Sequence, residues 1–135
     1  MIDRTFIDTN ILVYLSSKNE IKKNIATKFL YKLSNAVIST QVLGEFSNVA
    51  IRKKILTSDK LIEYLKHFER SFDVTVITEK TIISAIKIKE KYKFSFWDSM
   101  IISAALQANC NILYSEDMHH NQIIEQKLTI VNPFK

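Results

Sequence analysis

The sequence predicts an α/β fold in which helices cover both faces of a mostly parallel sheet. Short runs rich in β-branched and aromatic residues, typical of buried strands, alternate with longer stretches whose apolar residues recur at helical spacing. The order is strand, helices, strand, helices, strand, helices, strand, loop, strand, which is typical of a parallel sheet. With 135 residues, 47% of them hydrophobic, and one glycine and one proline, the chain is expected to form a single domain, 1–135.

The first half of the chain contains two predicted strands, at residues 5–7 and 37–38, and three predicted helices. Asp8 ends the first strand, and Ser39 and Thr40, which are favoured N-cap residues, follow the second. The helices are expected at about residues 9–17, 19–34 and 41–54, where apolar residues recur every three or four positions. Those residues are Ile11, Leu12 and Leu15, then Ile21, Ile25, Phe29, Leu30 and Leu33, then Val42, Phe46, Val49 and Ala50.

The second half is expected to hold three helices and three strands. In order, they are a helix over residues 57–70, a strand over 73–77, a helix over 78–92, a helix over 94–106, and strands over 112–114 and 128–131. Ser95 and Asp98 have the spacing of a capping box, so Asp98 also suits the first turn of its helix. The apolar residues of the helix before it are Ile82, Ile83, Ala85, Ile86 and Ile88.

The composition narrows the classes of function. The net charge of +5 favours a polyanionic partner only weakly. We expect no membrane span, since no run of about 20 apolar residues occurs. Residues 1–4 lack the pattern of a secretion signal, and the single Cys110 fits a reducing compartment, so a cytoplasmic protein is expected. One glycine cannot build a dinucleotide-binding loop or a P-loop.

Four carboxylates lie at positions that such a sheet would bring together. Asp8 and Asp117 follow strand-like runs, whereas Glu45 and Asp98 lie near helix N-termini. The carboxyl ends of parallel strands and the N-termini of the following helices share one edge, where ligands bind. The sequence therefore predicts a cluster of four acids at this edge, although Asp8, Glu45 and Asp98 each also suit a helix N-terminus alone.

Such a cluster needs compensation for its negative charge. Two carboxylates about 5 Å apart repel each other by about 3 kcal/mol at an effective dielectric constant of 20. Protonation, helix dipoles or a divalent cation would relieve this repulsion. Oxygen ligands suit Mg²⁺ or Mn²⁺ rather than Zn²⁺, and Mg²⁺ commonly binds substrate phosphates as well.

The segments around these acids resemble the motifs of PIN-domain nucleases, in particular the VapC toxins of bacterial toxin–antitoxin pairs. No single motif is specific, but the four acids in this order and at these separations are. The matching segments are Phe6-Ile7-Asp8-Thr9-Asn10-Ile11-Leu12, Leu43-Gly44-Glu45-Phe46, Phe96-Trp97-Asp98-Ser99-Met100-Ile101-Ile102-Ser103-Ala104-Ala105, Ser115-Glu116-Asp117 and Thr129-Ile130-Val131-Asn132-Pro133-Phe134.

The resemblance implies a three-layer α/β/α sandwich with a five-stranded parallel sheet, and Mg²⁺- or Mn²⁺-dependent endonucleolytic cleavage of RNA. It implies a homodimer and a cognate antitoxin as partners. It implies that Glu45 binds the metal or orients a water, and it leaves open whether Glu116 or Asp117 faces the site. The other residues that it implies are the metal ligands Asp8, Asp98 and Asp117 and the supporting polar residues Asn10 and Ser115.

Two other functions remain open at this point. One is a DNA-directed or structure-specific nuclease on the same scaffold, since nothing in the sequence identifies a 2′-hydroxyl as a recognised group. The other is a non-catalytic RNA- or protein-binding domain whose acids only cap helices. Such a domain would not depend on metal and would tolerate Asp8→Asn.

Overall fold

A computed structural model describes residues 3–135 and confirms the α/β fold, in which helices flank a mostly parallel sheet. Residues 1 and 2, which belong to the predicted domain and to the opening segment expected to lack a secretion signal, lie outside the described residues. The strands are β1 (Thr5–Ile7), β2 (Ala36–Ser39), β3 (Asp73–Thr75), β4 (Ile112–Tyr114), β5 (Ile123–Ile124) and β6 (Leu128–Val131). The helices are α1 (Thr9–Val13), α2 (Glu20–Tyr31), α3 (Thr40–Arg52), α4 (Ser58–Ser71), α5 (Glu79–Tyr92) and α6 (Phe96–Gln107).

Within residues 3–135 the sheet has six strands in the order β3-β2-β1-β4-β6-β5. β5 is antiparallel to β6, and the other neighbours are parallel. The prediction of five strands was therefore one short, because β5 has two residues and a run of that length carries no periodic pattern. β1 lies between β2 and β4, so the strand order reverses where the chain leaves β1, which is the usual place for a ligand site in such a sheet.

The N-caps predicted at Ser39 and Ser95 are confirmed, and Thr57 caps a third helix. Ser39 Oγ accepts a hydrogen bond from the Val42 N–H at the start of α3, and Thr57 Oγ1 caps α4 in the same way. Ser95 Oγ accepts from the Asp98 N–H at 3.1 Å, which begins α6. These bonds satisfy donors that the first turn of a helix leaves free, and they set the positions of the side chains in those turns.

Several predicted boundaries differ from the observed ones by two to four residues. The helix expected over 9–17 is α1 followed by a 3₁₀ turn, Tyr14–Ser16. The helix expected to reach residue 34 ends at Tyr31, because the next residues make tighter hydrogen bonds between positions i and i+3. The strand expected to reach residue 77 ends at Thr75, and the Ile77 N–H donates to Thr40 Oγ1 instead of a neighbouring strand.

Two predicted apolar faces are buried only in part. On α2, Ile21 and Ile25 are 75% and 41% exposed, whereas Phe29 packs edge to face on Tyr114. Helical periodicity shows that an apolar face exists, but not how much of it the rest of the chain covers.

The same holds for α5, where Ala85 and Ile88 are buried but Ile82, Ile83 and Ile86 are between 39% and 56% exposed. Three isoleucines on one helix form an apolar patch that is available to another molecule. No helix within residues 3–135 is both long enough and apolar enough to cross a membrane.

Candidate active site

The candidate active site is a cleft of about 790 Å³ lined by residues of α1, the 3₁₀ turn, α3 and α6 and by Asp117, which follows β4. It lies at the carboxyl edge of the sheet, next to the reversal in strand order between β1 and β4. The residues of the predicted site that line it are Asp8, Asn10, Glu45, Asp98 and Asp117. Ser115, the remaining predicted site residue, is fully buried against Asp8.

Asp8 is held by the sheet and by two further hydrogen bonds. Its backbone N–H donates to the Tyr114 carbonyl at 3.0 Å, which extends the pairing of β1 with β4 by one residue. Its Oδ1 accepts from the Thr9 N–H at 2.7 Å, and its Oδ2 accepts from Ser115 Oγ at 2.8 Å. Asp8 therefore both caps α1 and contributes to the cleft, so the two interpretations of this residue are compatible.

The charge on Asp8 is poorly compensated. The side chain is only 6% exposed, and burial raises its pKa to about 7. The hydrogen bonds from Ser115 and Thr9 lower the pKa, whereas the nearby carboxylates Glu45 and Asp98 raise it further. Among the ion pairs found within residues 3–135, none includes one of the four predicted acids.

Glu45 lies in the second turn of α3 and is oriented by its neighbours. Its Oε1 accepts from Thr9 Oγ1 at 2.7 Å, and its Oε2 is 3.4 Å from Gln41 Nε2. Gly44, beside it, is exposed, and a Cβ atom placed there would meet nothing within 4 Å. No other part of residues 3–135 therefore approaches the chain at this glycine.

Asp98 is the third residue of α6 and is half-buried. Burial raises the pKa of its carboxyl group, and the charges of Asp117 and Glu45 raise it further, while a hydrogen bond with Ser95 lowers it. The Glu45 carboxylate raises the pKa of both Asp8 and Asp98, so these three acids lie close enough to act on one another electrostatically.

Asp117, rather than Glu116, faces the cleft. Asp117 Oδ2 accepts from Asn10 Nδ2 at 2.9 Å, and its N–H donates to Ser115 Oγ. The Glu116 carboxylate instead accepts from the Tyr14 hydroxyl and from Lys22 Nζ, both at 2.7 Å. The ion pair with Lys22 therefore holds the Glu116 carboxylate away from the cleft, and Glu116 is not among the residues that line it.

The acids fit a hard divalent cation by their chemistry. Within residues 3–135, no three Asp, Glu, His or Cys side chains lie close enough together to bind one metal ion. Mg²⁺, however, usually takes one or two protein carboxylates and keeps several waters, so it does not need such a cage. A cleft that has no histidine or cysteine in its lining, a buried carboxyl group of raised pKa and no ion pair to its acids matches that requirement.

Two residues that hold Glu45 were not predicted from the sequence. Gln41 lies four residues before Glu45 on α3, a spacing that brings side chains together and could have identified it. Thr9 reaches Glu45 across 36 positions of sequence, and only the packing of α1 on α3 reveals that contact.

The histidines and the cysteine lie outside this cleft. His119 is exposed, whereas His120 Nδ1 accepts from the Asn132 N–H at 2.9 Å. Cys110 is buried, and burial raises the pKa of its thiol to about 11, so the reactive thiolate is scarce.

A family model described as the PIN domain matches residues 5–125. Among solved structures, the chain is similar to a toxin–antitoxin complex from Klebsiella pneumoniae, with a TM-score of 0.73 and 19% identity over 96% of this chain and 97% of that one. It is also similar to Mycobacterium tuberculosis VapC20, described as a sarcin-ricin loop cleaving toxin, with a TM-score of 0.67 and 15% identity over 81% and 86% of the two chains. A third is VapBC2 from Rickettsia felis, bound to a promoter DNA fragment, with a TM-score of 0.66 and 19% identity over 98% and 100%.

None of the curated proteins matches the sequence significantly. At 15% to 19% identity, the structural likenesses show the fold. The family model spans most of the chain, including all four predicted acids. The chain therefore belongs to the PIN domain family.

Proposed function

We propose that this PIN domain is a Mg²⁺- or Mn²⁺-dependent endoribonuclease that cuts single-stranded RNA. The observation that carries the proposal is that Asp8, Glu45, Asp98 and Asp117 line one cleft without a cationic partner within residues 3–135. The likeness to VapC20, described as a sarcin-ricin loop cleaving toxin, supports RNA as the class of substrate.

In this proposal Asp8, Asp98 and Asp117 would hold the cation, one or two of them directly and the rest through bound waters. A bound divalent cation supplies positive charge to the phosphate and lowers the pKa of water. Water attacks phosphorus in line, the P–O3′ bond breaks, and the departing oxygen takes up a proton. The products then carry a 5′-phosphate and a 3′-hydroxyl group.

Hydrogen bonds within the chain hold the acids in place before substrate arrives. Ser115 links the Asp8 carboxylate to the backbone of Asp117. Asn10 fixes the Asp117 side chain, and Thr9 fixes the Glu45 side chain. Groups that are already oriented lose less entropy in the transition state, which is a general source of rate enhancement.

The direct test is cleavage of single-stranded RNA by the purified protein. Cutting should require Mg²⁺ or Mn²⁺, stop with EDTA and leave 5′-phosphate ends. Asp98→Asn and Asp117→Asn should abolish cutting while circular dichroism shows an unchanged fold. The matched control is Glu116→Gln, which removes a carboxylate one residue from Asp117 but outside the cleft. Undiminished cutting by both Asn variants would refute the site assignment.

We further propose that the protein is a cytoplasmic toxin that forms a homodimer and is inhibited by a cognate antitoxin. Similar structures include the toxin–antitoxin complex from Klebsiella pneumoniae and VapBC2 on promoter DNA. The exposed apolar patch on α5 provides surface for another subunit. Expression alone should arrest growth, and co-expression of a small protein encoded next to it should relieve the arrest. Normal growth under expression of soluble protein would contradict the toxin proposal.

Two other functions are separated by the same assay. The capping of α1 by Asp8 is the observation that favours a non-catalytic domain; such a domain would bind RNA without cutting it at any metal concentration. A DNA-directed nuclease would cut single-stranded DNA of the same base sequence faster than RNA.

A further inference from the structure

The cleft that holds the four acids also has a basic end. We define the basic rim as four exposed cations that line this cleft: Lys18, Arg52, Lys53 and Lys54. Arg52 is the last residue of α3, Lys53 and Lys54 follow it directly, and Lys18 follows the 3₁₀ turn on another wall. None of the four takes part in an ion pair found within the described part of the chain, residues 3–135.

Helix α3 connects the acidic end of the cleft to the basic rim. One face of the helix lines the cleft through Glu45, Asn48, Val49 and Arg52, at spacings of three, four and seven residues from Glu45. At 1.5 Å per residue, Glu45 and Arg52 are separated by about 10 Å along the helix axis. That length corresponds to about three nucleotides at a rise of 3.4 Å per nucleotide. In an extended strand each nucleotide is longer, so the same length holds fewer of them.

The turn after α3 holds the rim in a defined conformation. The Ile55 N–H donates to the Ala50 carbonyl at 2.9 Å, and the Lys54 N–H donates to the Ile51 carbonyl at 3.1 Å. This pair of bonds is a Schellman motif, whose left-handed position usually contains glycine. Here Lys54 takes that position with φ of 53°, so a lysine is held beside the cleft at a site where glycine would be favoured.

We infer that the basic rim binds backbone phosphates of a single-stranded RNA, one to three nucleotides from the phosphate at the acids. This inference rests on the proposed function. A phosphate near four carboxylates is repelled, whereas phosphates farther along the same strand meet unpaired cations. The rim therefore determines toward which end of the cleft the strand runs, and it contributes affinity without reading the base sequence.

The test compares two lysines in the same backbone setting. Lys54 and Lys93 both lie in the left-handed conformation after a helix, with φ of 53° and 64°, but only Lys54 lines the cleft. Lys54→Gly and Lys93→Gly remove the same charge, and both should retain or gain thermal stability, because glycine tolerates this conformation. Lys54→Asn, which also tolerates it, provides a second variant at the same position.

Binding is measured in EDTA, so that cutting does not interfere, by the fluorescence anisotropy of a labelled RNA of about 12 nucleotides. Lys54→Gly should weaken binding about threefold. It should also make the negative slope of log association constant against log salt concentration shallower by about 0.7. The combined variant Lys54→Gly, Arg52→Gln and Lys53→Gln should bind about tenfold or more weakly, with a slope shallower by about 2. Lys93→Gly should bind as the wild type does.

Equal affinities for Lys54→Gly, Lys54→Asn, Lys93→Gly and the wild type would overturn the inference. So would a combined variant that keeps its RNA affinity but loses affinity for poly-L-glutamate, since the rim would then suit an acidic protein. The proposed function fails separately: if the wild type never cuts RNA in Mg²⁺ or Mn²⁺ but the rim variants still lose binding, the rim inference stands and the nuclease proposal does not.

Discussion

Replacing Asp8 by asparagine should stabilise the metal-free protein at neutral pH. Asp8 is 6% exposed, and burial raises its pKa to about 7 from the ordinary value of 3.8. Each pH unit between these values corresponds to about 1.4 kcal/mol, so ionising Asp8 costs about 4 kcal/mol more in the folded protein than in the unfolded chain. Asparagine at position 8 keeps a carbonyl oxygen that can accept from the Thr9 N–H. Its amide group can donate to Ser115 Oγ, an oxygen that already accepts from the Asp117 N–H.

The direction of the pH dependence follows from which state, folded or unfolded, holds the Asp8 proton. The folded protein keeps the Asp8 proton up to about pH 7, whereas the unfolded chain releases it near pH 3.8. The unfolded state therefore binds fewer protons in this window, and the contribution of Asp8 to the free energy of unfolding falls as the pH rises. The advantage of Asp8→Asn over the wild type should grow from near zero at pH 4 to as much as about 4 kcal/mol at pH 8.

The assay is urea denaturation in EDTA at several pH values, followed by circular dichroism. Asp59→Asn, which removes an exposed acid from the first turn of α4, controls for the loss of one negative charge. Adding Mn²⁺ at pH 8 should stabilise the wild type and leave Asp8→Asn unchanged. A difference between the wild type and Asp8→Asn that does not vary with pH would refute the reasoning.

Three further predictions concern the residues around the acids. Ser115→Ala removes the donor to Asp8 Oδ2 and the acceptor of the Asp117 N–H, so it should lower the free energy of unfolding by about 1–3 kcal/mol in urea denaturation; an unchanged midpoint would contradict this. Glu116→Gln breaks a partly exposed ion pair and should change stability by less than about 1 kcal/mol while RNA cutting persists, a result that complete loss of cutting would exclude. Thr9→Val removes the hydroxyl donor of Glu45 and should slow cutting about tenfold or more, as expected for a hydrogen bond to a charged group, whereas Thr9→Ser should cut normally; equal rates for both variants would argue against this bond.

Features that depend on a few consecutive residues could be predicted from the sequence. The caps at Ser39, Thr57 and Ser95 are examples, because an N-cap is decided by one side chain and the N–H groups two or three residues after it. The position of Asp8 at the end of a buried strand was also predictable, since its neighbours are β-branched or aromatic on one side and helical on the other.

Features that depend on what covers a surface could not be predicted. Ile21 and Ile83 belong to apolar faces with helical spacing, yet they are 75% and 56% exposed. The β5 strand exists only because β6 provides its hydrogen-bonding partner. A local pattern cannot contain this information, because burial is set by segments distant in the sequence.

The sequence by itself determined the α/β class, the order of the elements and the set of acids at strand and helix ends, because each follows from local spacing and composition. Only the tertiary structure decided that Asp117 rather than Glu116 faces the cleft, that Thr9 holds Glu45, and that the acids share a cleft with the cations of the basic rim. These outcomes depend on contacts between residues far apart in the chain, and such contacts exist only after β1, β4, α1 and α3 have packed together.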